Sequence, residues 1–496
     1  MKALFVSAIA CACLATSALA QTAPAWRGYG GNAQHTAPAP AKAQKPKSVH
    51  WKTAVDLAPQ NQQGFLLIHY ASPMITASNT VILPVKTGPT NGFVIEARTG
   101  TKGKRLWKAN TDFIFAPHDW TPSFPAHLTA QNRLYYAGAG GTVYYRDTPD
   151  LKTGATGQIA FYGNANYQAN KTVYNQHVMI DTPITADEAG NIYFGFAVTG
   201  STPQGLKNGI ARIGADGTGT WISAAQAAGD NSISEVAQNC APAISADQST
   251  IYIGVSDGFD GYLLGLDAAT LAPKYKTTLI DPVTHTNAGV FDDSSASPTV
   301  GPDGDVYYGV IAGDGNHNSR GWLLHFSGDL ATQKTPGSFG WDDTASVVPA
   351  SAVPSYTGSS SYLLMTKYNN YYGASPNGDG HNEIAIIDPN GTQKDRFSSA
   401  TVMKEIMTRV NPTQFPGAPA GVVYEWCINS AVVDVAGHAV IANAEDGYTY
   451  RWDLAKDSLT RVNLNPPIGE AYTPTVVGPD GNVYAINNAT LYALGK

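Results

Sequence analysis

Short apolar runs separated by polar turns recur along this chain at intervals of about fifty residues. Each copy opens on a short step before an apolar run, turns on polar residues and returns as a second apolar run. The step reads Ser72-Pro73, Thr121-Pro122, Thr182-Pro183, Ala241-Pro242, Ser297-Pro298, Val353-Pro354, Ser430-Ala431 and Thr473-Pro474, eight copies of which one lacks its proline. Second runs such as Ile192-Tyr193-Phe194, Ile251-Tyr252-Ile253 and Val483-Tyr484-Ala485 follow, then third runs such as Tyr262-Leu263-Leu264 and Thr490-Leu491-Tyr492. β-Branched and aromatic residues crowd these positions because a pleated, half-buried surface suits them, so each copy predicts a set of antiparallel strands.

Most copies supply a fourth strand, for example Arg105-Leu106-Trp107-Lys108 and Lys274-Tyr275-Lys276-Thr277, but the eighth ends at Lys496 with three. Val49 to Thr53 reads as a strand without partners of its own. The expected fold is therefore all-β, an eight-bladed β-propeller whose last blade is closed by that N-terminal strand, leaving no open sheet edge there. Such a repeat absorbs residues 49–496 into a single domain.

Composition agrees with this pattern. Gly 50, Pro 31 and Tyr 26 with 14% charged residues describe a turn-rich aromatic β protein. The formal net charge of −7, with no basic stripe, argues against nucleic acid and against an anionic membrane surface, and no later stretch is long and apolar enough to span a bilayer.

Residues 1–20 carry Lys2, an apolar stretch from Ala3 to Ala15 and Ala18-Leu19-Ala20 before Gln21, the pattern of a secretory signal, so a periplasmic or extracellular product is expected. Cys11 after Ala8-Ile9-Ala10 offers the alternative of a lipid-anchored cysteine behind a very short leader. The mature chain keeps Cys240 and Cys427, a candidate disulfide in an oxidising compartment or, equally, two buried thiols.

Residues 21–48 form an N-terminal extension, rich in Ala, Pro, Gln and Lys except for Trp26-Arg27-Gly28-Tyr29-Gly30-Gly31-Asn32-Ala33-Gln34-His35-Thr36. That island, followed by Val49-His50-Trp51-Lys52, resembles the opening of the pyrroloquinoline-quinone-like, or quinoprotein-like, eight-bladed β-propeller family. The resemblance covers nearly the whole mature chain, and Trp51 and Trp107 resemble that family's tryptophan docking positions. It implies the fold, and it spans both cofactor-bearing alcohol dehydrogenases and non-catalytic outer-membrane assembly proteins. For the dehydrogenases it implies a vicinal cysteine disulfide against the quinone, a Glu/Asn/Asp calcium set and a catalytic Asp. This sequence has no Cys-Cys pair and no Cys-x-x-Cys-His segment, a departure that argues against the quinone.

Long insertions fall on one face of the expected propeller: 54–68, 162–180, 223–238, 279–296, 312–321, 368–382 and 398–428. The other face carries tight turns such as Asp303-Gly304 and Asp480-Gly481. Long loops on a rigid scaffold are where binding concentrates. The residues before each inner strand should ring the channel mouth. His118, Asp119 and His69 are the candidate catalytic groups, and Tyr70, Trp120, Asp181, Asn239, Glu425, Asn429, Glu470 and Tyr472 the candidate ligand contacts. Of eleven histidines, His69, His118, His177, His285, His317 and His381 fall on this face, and wet channel mouths also hold such groups merely to satisfy the backbone.

Asp292 and Asp293 are the candidate metal ligands, for calcium or another divalent cation, with Asp342-Asp343 a similar pair; acidic pairs before a strand also serve as loop caps. The loops 314–318 and 377–382 resemble one another and suggest a shared ligand contact, and 162–167 and 368–372 are Asn/Tyr-rich in the manner of sugar- or peptide-binding loops. Hydrolase elbows, His-Glu-x-x-His and phosphate-cradling loops are absent from the sequence. Two classes of function remain: an exported propeller binding a small organic ligand, a glycan or a protein loop, or an enzyme using the same funnel as a quinone- and calcium-dependent oxidoreductase or a metal-assisted hydrolase or lyase.

Overall fold

Successive strands stack outward from a central axis in eight blades, each an antiparallel sheet in chain order. The computed structural model of the chain describes residues 23–62, 65–66, 71–118, 122–291, 296–314, 317–426, 428, 430–465 and 475–496. The inner strands of blades 1 to 8 lie at Met74–Ile75, Ala126–Leu128, Val178–Ile180 with Thr185–Ala186, Glu235–Val236 with Ala243–Ile244, Thr299–Val300, Ser346–Pro349, Val432–Asp434 and Val476–Val477. Blade 5 has three strands, and isolated bridges Leu323↔Gly337 and Phe326↔Gln333 stand where its fourth would be. Ser48–Ala54 pairs antiparallel with Thr490–Gly495, so the outer strand of blade 8 comes from the other end of the chain.

Two recurrent side-chain types tie neighbouring blades together. The tyrosine of the second strand reaches a carbonyl of the following blade: Tyr193 OH donates to Ala268 O at 2.8 Å, Tyr252 OH to Gly328 O at 2.6 Å and Tyr484 OH to Gly100 O at 3.3 Å. Hydroxyls at the head of the inner strands do the same around the axis. Ser297 Oγ accepts from Ala241 N at 2.8 Å, Thr344 Oγ1 accepts from Ser297 N at 2.9 Å, and Ser346 Oγ donates to Ala431 O at 2.6 Å. At Ser297-Pro298 the step is an inter-blade latch, since proline has no N–H to satisfy and the hydroxyl bonds the neighbour, whereas Thr182 of Thr182-Pro183 bonds within its own blade, accepting from Gly195 N.

Three sequence expectations are corrected here. In blade 6 the inner strand begins after Thr344-Ala345, and Val353-Pro354 lies in the turn that follows it, because Thr344 supplies the latch hydroxyl. The expected insertion 398–428 contains Thr401–Val410, the outer strand of blade 6, paired to the twelve-residue strand Glu383–Lys394. The insertion 162–180 is built from two short helices, Asn164–Ala169 and Lys171–His177, before the strand Val178–Ile180. No helix among the described residues is long and apolar enough to cross a membrane.

The N-terminal extension crosses the turn end of the channel and hydrogen-bonds to its inner strands one after another. Trp26 N and O pair with Ile75, Arg27 O accepts from Leu128 N, Ala33 O from Ile244 N, Gln34 O from Val300 N, Thr36 O from Val347 N and Ala37 O from Val433 N. Blade 3 is reached by the Arg27–Glu188 ion pair. Trp26, Tyr29, Ala33, His35 and Ala37 are buried in this crossing. Its tight path requires Gly30 at φ 59°, where an added Cβ would stand 2.5 Å from His35 Cα. A through-channel becomes a cup whose floor is residues 26–37.

Burial holds two floor imidazoles neutral. His35 Nδ1 lies 2.7 Å from Pro298 O, and burial lowers its pKa to about 4; His127 is lowered to about 3, first by burial and then by its charged and titratable neighbours Arg27 and His35. Both folded values lie below the ordinary 6.5, so their stability contribution is complete above that pH and is lost as pH falls through the folded values. Unfolding free energy should drop below pH 6.5 by up to about 1.4 kcal/mol per pH unit for each histidine, and His127→Gln should remove one share of that slope in denaturant titrations. Independently, Trp26→Ala should cost about 3–5 kcal/mol, read as a fall in the thermal midpoint.

Candidate functional site

Blades 6 and 7 hold a buried charge cluster. Lys367 comes from the loop-side end of the strand Tyr362–Tyr368, Asp342 and Asp343 precede the inner strand Ser346–Pro349, and Glu425 lies in the connection to blade 7. Lys367 Nζ is 3.9 Å from Asp342 Oδ2, with side-chain exposures of 1% and 4%, and Thr366 Oγ1 donates to Asp343 Oδ2. An ammonium this deep is tolerable only beside carboxylates. Burial pushes Asp343 up to about 7, against the opposing pull of Lys367 and Thr366, and Asp342 adds to the rise. Burial likewise raises Glu425 to about 7, with Lys367 pulling it down. Two carboxyls that titrate near neutrality beside one fixed cation can donate or accept both protons and hydrogen bonds at pH 7.

The floor meets this cluster through Tyr29. Its hydroxyl is 2.7 Å from Thr344 Oγ1, burial raises its pKa, and Ser297, Cys240 and Asp342 are among its electrostatic neighbours. On the far wall Asp181 and Asn239 stand at the heads of blades 3 and 4. Asn239, at φ 63°, accepts from Ser123 N through Oδ1 at 2.9 Å and donates its backbone N–H to Asp181 O at 3.0 Å. It therefore locks three blades together, a structural duty in addition to lining the mouth. His118 is exposed, with Nδ1 2.8 Å from Ala116 O and its ring edge against Phe115.

His69, Tyr70, Asp119, Trp120, Asp292, Asp293, Cys427, Asn429, Glu470 and Tyr472 lie outside the described residues. Cys240 is a free, fully buried thiol that accepts from Gly254 N at 3.4 Å, and burial raises its pKa to about 11. The candidate bridge to Cys427 rests on a residue outside the described ones. Among the described residues no group of three His, Cys, Asp or Glu side chains is placed to hold a metal. At Asp342-Asp343 the Lys367 ammonium is the cation beside the carboxylates.

Several other loop-face candidates are spoken for by structure. His317 Nε2 is 2.9 Å from Asp395 Oδ2, and its ring stacks on Trp322 at 3.8 Å. The look-alike loops at 314–318 and 377–382 meet each other directly: Asn377 N donates to Asn318 Oδ1 at 2.8 Å. Tyr162 OH donates to Gly140 O at 2.6 Å and Tyr167 OH to Asn175 Oδ1 at 3.0 Å, so both rings pack loops together. Sequence reasoning missed Lys367. Its signal was a lone charge closing the apolar run Tyr362-Leu363-Leu364-Met365-Thr366, which a solvent-facing strand end explains equally well.

No family model matches the sequence, and no curated protein matches it. Solved structures do match in shape. A quinohemoprotein alcohol dehydrogenase from Comamonas testosteroni superposes with a TM-score of 0.56 at 10% identity, over 97% of this chain and 82% of that one. A europium-containing methanol dehydrogenase gives 0.53 at 9% identity, over 93% and 89%. BamB from Moraxella catarrhalis gives 0.36 at 12% identity, over 91% and 100%. The two dehydrogenases establish that this chain has the quinoprotein-like eight-bladed propeller fold. The residues present do not fit a quinone held by a vicinal disulfide: Cys240 is flanked by Asn239 and Ala241, and its thiol is sealed within blade 4.

Lys367→Met should move the titrations of Asp343 and Glu425 upward, since Lys367 lowers both. An infrared carboxyl band that disappears near pH 7 in the parent should persist to higher pH in the variant, while Lys367→Arg should restore the parent profile.

Proposed function

We propose that this chain is an exported binding propeller that holds a small polar organic ligand in its closed-ended channel, with Lys367 as the fixed cation and Asp343 and Glu425 as adaptable hydrogen-bonding partners. The carrying observation is the cluster itself: a lysine side chain 1% exposed, among carboxyls raised to about 7, on blades 6 and 7. A propeller core needs no such group, because tyrosines and hydroxyls already join the blades; the cluster costs desolvation energy that a ligand would offset. Export rests on the pattern of residues 1–20.

A second, catalytic reading draws support from the same two carboxyls. A pair titrating near 7 beside a cation suits general acid–base transfer to a bound substrate. No step is assigned to quinone or metal.

Protein purified from its native host should carry a stoichiometric organic ligand visible by mass spectrometry of the denatured supernatant. Lys367→Ala should weaken its retention about 10- to 100-fold, the worth of a hydrogen bond to a charged group. Ligand-free protein whose thermal midpoint is unmoved by small organic acids, sugars, or quinone with calcium would overturn the reading. N-terminal sequencing of the mature protein should begin at Gln21.

A further inference from the structure

Two cavities on the loop-rich face share a wall on blade 3 and run together from the rim towards the axis. The outer one, about 650 Å³, lies between the connection 199–208 and the segment from Ser223 to Ser234. The inner one, about 180 Å³, continues to Asp181, Glu235 and Gln238 beside Pro117, next to His118. Val198, Thr199 and Asn208 line both. Asn208 is a rigid sill: its Oδ1 accepts from Val198 N at 2.6 Å and its Nδ2 donates to Ser234 O at 2.9 Å. Asp181, where the groove ends, is an electrostatic neighbour of Cys240, and Cys240 in turn of Tyr29 in the floor.

We propose that this groove binds a short oligosaccharide, whose inner end enters the cup and whose outer units lie along blade 3. The assignment rests on the binding function proposed for the cup, and it names the ligand class.

Shape and chemistry point the same way. A radial trough suits a chain of repeated units better than a compact molecule, and its volume lies within the range of about 300–1,000 Å³ usual for small-molecule sites. The hydroxyls of Thr199, Ser201 and Ser234 make no hydrogen bond among the described residues, so they are available to a polyhydroxylated ligand. Leu206 and Ile233 offer apolar surface for the C–H faces of sugar rings, and the Asp181 and Glu235 carboxylates can accept from hydroxyls at the inner end. Among the described residues Lys207 is the one charged residue of the outer chamber, too few for a phosphate backbone.

A peptide fits less well. Strand addition needs an open edge, and the blade 3 strand beside the groove, Ile192–Val198, is already paired on both sides. What the groove presents is side-chain hydroxyls and amides, not a backbone ladder.

The test is calorimetric titration of the purified full-length mature protein with malto- and chito-oligosaccharides, each from the monosaccharide to the hexasaccharide, and with an extended polar peptide. In at least one series affinity should rise about tenfold or more from monomer to tetramer, and Ser234→Trp, which fills the trough from an exposed position, should abolish that gain. Thr199→Val, nearly isosteric, should weaken the oligomer several-fold without moving the thermal midpoint. The assignment fails if neither series binds, if monomer and tetramer bind equally, or if the peptide binds and the sugars do not. If a ligand lost in Lys367→Ala is present but no sugar binds, only the groove is wrong; if oligosaccharides bind the parent and Lys367→Ala alike, the groove stands and the cup reading falls.

Discussion

Backbone hydrogen bonds between residues 26–39 and the inner strands are the constraint on which the rest of this molecule depends. Inner strands of a propeller present one edge to the axis, and an unpaired buried edge carries a large desolvation cost. Here Ile75, Leu128, Ile244, Val300, Val347 and Val433 each find a partner in one short segment that crosses the axis. That single crossing reads six blades at once, so it fixes their heights as well as capping their bonds. Glycines at 28, 30 and 31, all at positive φ, allow the segment to turn within the channel's width.

Closing one end changes what the other end can be. An open channel would let water reach both sides of a lysine or carboxyl in its wall; a floor of Trp26, Tyr29 and His35 removes one side. Lys367, Asp342, Asp343 and Glu425 therefore sit in a setting of low polarisability where pairing is obligatory and carboxyl titrations rise towards neutrality. The floor histidines show the same effect with opposite sign, since for an imidazole burial penalises the protonated form. Both shifts follow from one geometric fact.

The radial groove on blade 3 has a different origin. It lies between the connection 199–208 and the helix Ala224–Ala228, which are tied together at Asn208: its backbone O accepts from Ala224 N at 2.9 Å and its Nδ2 donates to Ser234 O. Loops of blades 5 and 6 do meet directly, through Asn318, Asn370 and Asn377. The loop-rich face is therefore asymmetric, packed on one side and open on the other.

The repeat determined the fold. Fifty-residue spacing and strand-forming residues are local signals that survive in the sequence because every blade needs them at the same place, with second-strand tyrosines in six of the eight, and the eight-bladed all-β expectation followed from them alone. Where a copy traded its signal, register slipped: Thr344-Ala345 replaces the proline step in blade 6, and Val353-Pro354 offered a decoy nine residues later. The mouth residues Asp181, Asn239 and Glu425 were legible as positions before inner strands, yet their roles were not. Whether Asn239 binds a ligand or braces Ser123 and Asp181 depends on atoms more than fifty residues away in sequence, and the pairing of Lys367 with Asp342 joins the ends of two different strands of blade 6. The crossing of residues 26–37 was visible only as a glycine- and aromatic-rich island. That it seals the channel, and so sets the charge states of the cup, is decided by contacts spread over the whole ring, which no local pattern encodes.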